Sequence, residues 1–337
     1  MSRSVAVIGA GLSGLAAARS LLDSGASVTV FDKGRRPGGR ANTREHGERR
    51  FDHGAQYFTV HGEVVASWLA EWREAGVVAK WAGDLVYIDG GGISPAQPAT
   101  RYVGVPGMVD LALHMAQGVD VRSGIRIEAL HRADGAWSLE AEDGEEWSGF
   151  DHVIVAVPAP QAAPLLAGSP ALAAAARAVT MEPCWSAMLS FSEPLELGFD
   201  AAFVRTGQLS WVARDSSKPG RPPGEAWVVH FNGDWSRHHW QTEPDRVAEL
   251  AEEALRHRFP SVPEATFSRA HRWGYALAPK AGEGILYDDA SRLGACGDWC
   301  VGGRVEGALT SGLEIARRIT RESADRVVPP GGSGPPS

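Results

Sequence analysis

The feature that most constrains this chain is a glycine-punctuated turn held between a strand and a helix near its N-terminus. Val5-Ala6-Val7-Ile8 is an apolar, β-branched run of the kind that forms a strand buried on both faces. It leads into Gly9-Ala10-Gly11-Leu12-Ser13-Gly14, and from Ser13 to about residue 23 apolar residues recur at helical spacing. Gly25 suits the position just past the helix end, and residues 27–31 form a second strand-like run closing on Asp32. A G-x-G-x-x-G string alone is weak evidence. Strand, turn, helix, strand and an acid 23 residues beyond Gly9 together make a dinucleotide-binding β-α-β unit. In such a unit Gly9 permits the tight turn, Gly11 lets a pyrophosphate approach the backbone, and Gly14 packs helix on strand. Free N–H groups over Ala10, Leu12 and Ser13 meet the phosphates, while Asp32 accepts from the adenosine ribose hydroxyls and disfavours a 2′-phosphate there. Whether the dinucleotide is NAD or FAD is open at this point.

Charge and cysteine usage narrow the partners. A net charge of -8 with only four lysines, Lys33, Lys80, Lys218 and Lys280, argues against a duplex nucleic acid or a membrane surface, which need clustered cations. Cys184, Cys296 and Cys300 are too few and too oddly spaced for a disulfide framework, and the first strand begins too early for a signal peptide to precede it. No run approaches the roughly 18–20 apolar residues that cross a bilayer. These features predict a soluble, cytoplasmic protein acting on small molecules. The eleven histidines include no H-E-x-x-H or similar ligand spacing, so no metal is expected.

The rest of the chain alternates between two layers. Residues 64–75 read as a helix with Trp68 and Trp72 on one face, and Gly90-Gly91-Gly92, which no helix follows, as a hairpin turn rather than a phosphate loop. Residues 119–147 suggest a β-meander, and Val153-Ile154-Val155-Ala156-Val157 a strand that rejoins the first sheet. Residues 160–285 mix an Ala-rich helix, aromatic strands and Pro-rich turns, including the loop 218–224. A strand at 293–297 and a helix at 307–320 close the fold, and the Pro/Gly-rich residues 321–337 are expected to be a disordered tail. The predicted class is α/β. Residues 1–60, 115–160 and 285–320 would form a discontinuous dinucleotide domain, and 61–114 and 161–284 an inserted mixed α+β substrate domain.

Two further segments carry a family resemblance. Arg36-Pro37-Gly38-Gly39-Arg40 resembles the R-x-G-G-R signature that follows the first β-α-β unit in the amine-oxidase branch of FAD enzymes. Gly294-Ala295-Cys296-Gly297-Asp298-Trp299, followed by Gly302-Gly303-Arg304-Val305-Glu306-Gly307-Ala308, resembles the C-terminal flavin motif of the same superfamily. The resemblance implies a Rossmann-type fold binding FAD. It places Lys33, Arg36 and Gly39 against the cofactor, Arg40 at its phosphates, Asp298 near the ribityl or pyrophosphate, and the backbone of Ile127 at the adenine. The helix opening at Arg304, Val305 and Glu306 would aim its positive end at the flavin pyrimidine and favour the anionic reduced ring. The segment Phe51 to Thr59, with Gly54, Ala55, Gln56 and Tyr57 as its cofactor contacts, resembles the one that runs beneath the isoalloxazine in this superfamily.

The wording Gln56-Tyr57-Phe58-Thr59 and Asp298-Trp299-Cys300, with Ala270-His271-Arg272-Trp273-Gly274-Tyr275, is similar to the bacterial renalase group. That resemblance implies oxidation of the 2- and 6-dihydro isomers of NAD(P)H, with hydride passing to FAD N5 and O2 returning the flavin with release of H2O2. Tyr57, Phe58, Thr59, His271, Tyr275 and Trp299 would line the substrate side. A dihydropyridine is already a hydride donor, so no general base is required, and no acid/base pair stands out. No residue lies in a flavin attachment motif, so FAD is expected to be non-covalent. The alternatives are an amine oxidase, for which Lys280 and Lys80 are the lysines expected to reach the flavin, and a non-enzymatic FAD-binding sensor.

Overall fold

The computed structural model describes residues 3–278 and 284–327, with side chains as far as residue 321. The N-terminal unit forms as its sequence demands. Ser4–Ile8 and Ser27–Asp32 pair in parallel with Ile8 opposite Phe31, and the helix Leu12–Asp23 connects them. Val5, Ala6 and Val7 are fully buried, because helices and loops cover both faces of a parallel sheet. His152–Val155 pairs on the other side of the first strand, followed by Leu293–Ala295, while Asp120–Ser123 pairs beside Ser27–Asp32. All these pairings are parallel; only Leu286–Asp288, at the edge, runs antiparallel. Chain order therefore reverses at the first strand, and the crevice outside its carboxyl end is where such sheets bind ligands.

The terminal helix, Val305–Val327, packs on the nucleotide helix. Gly312 permits the approach, since a Cβ there would stand 2.1 Å from the Ser13 carbonyl oxygen. Leu15 and Ala16 meet Leu309, Leu313 and Ile315 in one core.

A second, seven-stranded sheet faces the first. Glu182–Phe191 lies between Phe267–Leu277 and Glu225–Phe231, followed by Leu209–Arg214 and Ala201–Val204, all antiparallel. Leu85–Asp89 adds in parallel and carries its hairpin partner Gly92–Pro95 at the edge. The two-residue period sorts the central strand: Trp185, Ala187 and Leu189 pack with Val247, Ala251 and Leu255 of the helix Pro244–Arg258, while Met188 turns the other way onto Phe51.

Several sequence expectations hold and others are corrected. The helix Glu63–Glu74 and the glycine hairpin form where expected. The meander is confined to Ile127–Ala133, Ala136–Ala141 and Glu146–Phe150, because Asp120–Ser123 joins the parallel sheet instead. The single Ala-rich helix is two, Ala159–Leu165 and Pro170–Arg177, split by a short turn and by Pro170, which starts a helix but cannot continue one. The terminal helix runs through residues 321–327, assigned above to a tail, since no Pro or Gly interrupts that stretch. The remainder of that proposed tail, 328–337, lies outside the described residues. Among the described residues no helix is long and apolar enough to cross a membrane.

Candidate active site

A continuous cleft of about 2290 Å³ opens at the carboxyl end of the first strand and runs between the two sheets. It gathers Gly9, Gly11, Leu12, Ser13, Asp32, Lys33, Arg36, Gly39 and Arg40 with Gly54, Ala55, Gln56, Tyr57, Phe58 and Thr59. Ile127, His271, Tyr275, Asp298, Trp299, Arg304, Val305 and Glu306 complete the set the sequence singled out. Ala10 and Gly14, also singled out, are buried and do not line the cleft. Gly14 is forced to be glycine, because a Cβ would stand 1.9 Å from the Gly9 carbonyl oxygen.

The nucleotide wall is made of backbone. Gly9 adopts φ 112° with its Cα against the Ala156 carbonyl, a conformation and a contact that only glycine tolerates. Gly11 precedes the helix in extended conformation with no side-chain cap, and a Cβ built on it meets open space. The helix N-terminus is thereby left with uncapped donors facing a cradle, which fits a pyrophosphate and hence the dinucleotide cofactor of the resemblance. Asp32 has a structural role: its two oxygens accept the Ala10 and Gly34 N–H groups, each at 2.6 Å, and so fix the glycine turn to the loop after the second strand. Burial raises its carboxyl above the ordinary range, although both backbone bonds oppose this. Its remaining lone pairs stay open toward the cleft.

Arg40 and Asp298, read separately from the sequence as cofactor contacts, are each other's partners. The guanidinium grips the carboxylate with two bonds, 2.8 Å and 2.5 Å, and also donates to the Ala276 carbonyl at 3.1 Å. One arginine thus ties the first 60 residues to the C-terminal motif, with both groups still lining the cleft. Glu306 has a comparable structural role. Its carboxylate accepts the His61 and Gly62 N–H groups at 2.6 and 2.7 Å, capping the helix Glu63–Glu74. Burial raises the Glu306 carboxyl, but these bonds outweigh it and bring the group below its usual range. Arg36 donates to Asn42 Oδ1 and the Thr43 carbonyl. Trp299 is buried, its indole N–H given to the Val157 carbonyl at 3.0 Å.

The facing wall is made of side chains. Tyr57 packs with Phe203 and Trp211, ring centroids 6.5 and 5.7 Å away, and the Arg101 guanidinium lies 5.4 Å from its centroid. Gln56 is fully engaged from behind: its Oε1 accepts from Trp211 Nε1 and Lys218 Nζ, both at 3.2 Å, and its amide donates to the Asp52 carbonyl.

Lys218 does lie at the start of the Pro/Gly loop, but it corrects the expectation that only Lys280 and Lys80 come near the site, since it bonds to the cleft residue Gln56. Its side chain is completely buried, bonded to Asp52 at 3.1 Å and Asp215 at 2.5 Å, with Arg221 completing a four-charge cluster. Burial alone would raise Asp52, but Lys218 and Arg221 hold it below the ordinary carboxylate range. For Asp215, burial and then the Asp52 charge push the carboxyl up. The two cations balance the two anions, so the cluster is a neutral brace beneath Gln56. Of the other lysines, Lys80 is exposed and outside the cleft, Lys33 lines its nucleotide end, and Lys280 lies outside the described residues.

Three histidines complete this wall. His53 is buried with Trp273 stacked on it and His271 edge-on at 4.9 Å, and burial, then His271, push it down to about 3. His271 is brought to about 4 by burial and then Arg44, whose Nη2 lies 3.1 Å from its Nδ1. His230 falls to about 4 through burial and then Lys218. All three are neutral near pH 7. Sequence reasoning found His271 but not His53, His230, Arg44, Phe203 or Trp211. His53 stood inside the singled-out segment 51–59; the others carry no local signal.

Residues 7–72 match the family described as NAD(P)-binding Rossmann-like domain, and residues 82–320 the one described as flavin containing amine oxidoreductase. Protein FLOWERING LOCUS D of Arabidopsis thaliana is 31% identical over 147 residues, 39% of this chain and 18% of that protein. The neurosporene-forming phytoene desaturase of Rhodobacter capsulatus is 48% identical over 68 residues, 20% of this chain and 13% of its own length. The alignments thus span less than a fifth of either curated relative. Among solved structures, cyclohexylamine oxidase from Brevibacterium oxydans superposes with a TM-score of 0.74 at 16% identity, covering 96% of this chain and 100% of that one. A structure described as a protoporphyrinogen oxidase from Exiguobacterium sp. 255-15 gives 0.78 at 14% identity, covering 96% and 99%. These structures share the fold, and the match over residues 82–320 makes the chain a member of the flavin containing amine oxidoreductase family.

Proposed function

We propose that this flavin oxidoreductase binds FAD non-covalently and oxidises the 2- and 6-dihydro isomers of NAD(P)H to NAD(P)+, with O2 as acceptor and H2O2 as product. The observation that carries this reading is the chemistry of the wall facing the nucleotide cradle. Lys218, fully buried behind Gln56, is locked between two carboxylates, and the cleft offers the aromatic rings of Tyr57, Phe203 and Trp211 with neutral imidazoles. When bound, the flavin supplies hydride acceptance and reaction with O2. The protein's own part is then to hold a flat ring, exclude water and orient an amide, and removal of a proton by a side-chain base is not needed.

Other features support the same reading. Burial holds the thiols of Cys184 and Cys296 up at about 12 and raises that of Cys300 as well, so none of the three is a thiolate suited to covalent attachment. In this reading Gly9, Gly11, Leu12, Ser13, Asp32, Lys33, Gly39, Arg40, Ile127, Asp298 and Arg304 to Glu306 surround the cofactor. Tyr57, Phe58, Thr59, His271 and Tyr275 face the substrate. Residues 1–60, 115–160 and 285–320 serve as the cofactor domain of a cytoplasmic enzyme, and 61–114 with 161–284 as the substrate domain.

The alternative is an amine oxidase, favoured by the family match and by the fold shared with cyclohexylamine oxidase. Anaerobic stopped-flow of the purified flavoprotein separates them. Rapid bleaching by the 2- or 6-dihydro isomers, with slow or no response to 4-dihydro-NADH and to primary amines, is the expected result. Bleaching by amines alone overturns the proposal, and bleaching by neither leaves a flavin-binding module without this chemistry.

A further inference from the structure

One rim of the cleft carries cations that no carboxylate neutralises. Arg44, on the strand Thr43–His46, and Arg269, on Phe267–Leu277, both line it, with Arg35 and Arg36 alongside. Among the described residues none of these four forms an ion pair, although the chain has a net charge of -8 and acids to spare. Of the other arginines lining the cleft, Arg40 is paired with Asp298 and Arg126 with Glu142, while Arg101, Arg272 and Arg304 also lack an ion pair among the described residues; what distinguishes Arg44 is the cluster of like charge around it. Burial lowers the Arg44 guanidinium, and the charges of Arg269, Arg36 and Arg35 lower it further, so the group stands in a field of like charge. Such an arrangement is unfavourable until an anion enters it.

A second observation points inward from that rim. His53 lines the cleft at 2% exposure, and its Nδ1 has no hydrogen-bond partner among the described residues. His271 bridges the two, with Arg44 at 3.1 Å on one side and the His53 ring on the other. The row Arg44, His271, His53 therefore runs from unsatisfied positive charge to an unsatisfied buried imidazole nitrogen. A buried polar atom without a partner marks a place a ligand can fill.

We propose that Arg44 and Arg269, with Arg36 beside them, form a subsite for the phosphate or diphosphate group of the substrate. The cofactor's own pyrophosphate has its cradle at Gly11 and the uncapped helix, so these arginines serve a second anion. The identity of that anion as the diphosphate of a dihydronicotinamide dinucleotide rests on the function proposed above; the subsite itself rests on the unpaired arginines. Cationic amines would be repelled by the same rim.

The test uses the FAD-loaded protein and inorganic pyrophosphate as the probe. Calorimetric titration at low salt is expected to show binding by the wild type that weakens about tenfold in Arg44→Ala and in Arg269→Ala, recovers in part in Arg269→Lys, and falls steeply with salt, while both variants keep their flavin. In parallel, kcat/KM for a 2- or 6-dihydro dinucleotide is divided by that for the matching dihydronicotinamide riboside, which has no phosphate. This ratio should fall about tenfold in each alanine variant. Arginine-dependent pyrophosphate binding without oxidation of any dihydronicotinamide would keep the subsite and remove the proposed reaction. Equal pyrophosphate binding by wild type and variants, no binding at all, or loss of FAD from the variants overturns the subsite, whatever the enzyme oxidises.

Discussion

On one side of the cleft Gly9, Gly11 and Gly14 offer bare backbone, and the charges of Asp32, Arg40 and Asp298 are already engaged by other parts of the protein. On the other side the surface is side chains: Tyr57, Phe203 and Trp211 in van der Waals contact range, neutral histidines, and arginines without acidic partners. The first wall is built for a ligand that stays, since its groups are satisfied by the fold and need only a phosphate at a prepared helix end. The second keeps unsatisfied groups, which suits a ligand that enters and leaves. Different substitutions should therefore separate folding, cofactor retention and turnover.

The largest effect is expected at the brace behind the second wall. Lys218→Met leaves Asp52 and Asp215 sharing Arg221 in a fully buried setting, which should cost roughly 3–5 kcal/mol in urea unfolding. A variant that unfolds at the wild-type midpoint yet loses turnover would show that Lys218 acts on the chemistry, as an amine-oxidase lysine would. Next is the clamp on the first wall. Asp298→Ala strands the Arg40 guanidinium and unties the C-terminal motif, costing about 2 kcal/mol and releasing FAD on gel filtration. Full retention of flavin at unchanged stability would break the assignment of this pair to the cofactor wall.

A smaller change sharpens the same side. Asp32→Ala removes the acceptor of the Ala10 and Gly34 N–H groups, and FAD affinity should drop about tenfold while the spectrum of the bound fraction is unchanged. An altered flavin band would place Asp32 near the ring instead of the adenosine. The histidines of the second wall give an effect that appears only as the pH is lowered. In the fold His53 stays neutral down to about 3 and His271 and His230 to about 4, whereas an unfolded imidazole takes its proton near 6.5. Between those values the unfolded chain binds more protons, so stability is full above about pH 6.5 and declines as pH falls toward 4. Melting temperatures recorded from pH 7.5 to 4.5 should follow this course, with a shallower slope in His53→Asn. A flat profile would mean that these rings are not held neutral.

What was legible in the sequence follows from range. The glycine turn, Asp32 and the two glycine-rich flavin segments are contiguous strings whose spacing encodes backbone geometry, and all line or underlie the cleft. Lys218 was misjudged because Pro and Gly around it signal a turn, and nothing local says that the turn folds inward onto Asp52, 166 residues away. Trp211 and Phe203 read as ordinary strand aromatics, since alternation assigns a face to a residue but not the neighbours that share it.

By itself the sequence determined the β-α-β unit and the family, because hydrophobic period and glycine placement act within some 30 residues. Tertiary structure alone decided who pairs with whom. Arg40 meets Asp298 across 258 positions, Glu306 caps a helix that begins at Glu63, and Arg44 is left beside His271 without an ion pair among the described residues. Those outcomes depend on which strands the two sheets bring side by side, and the energy of a charge depends on the partner and the burial it finds there.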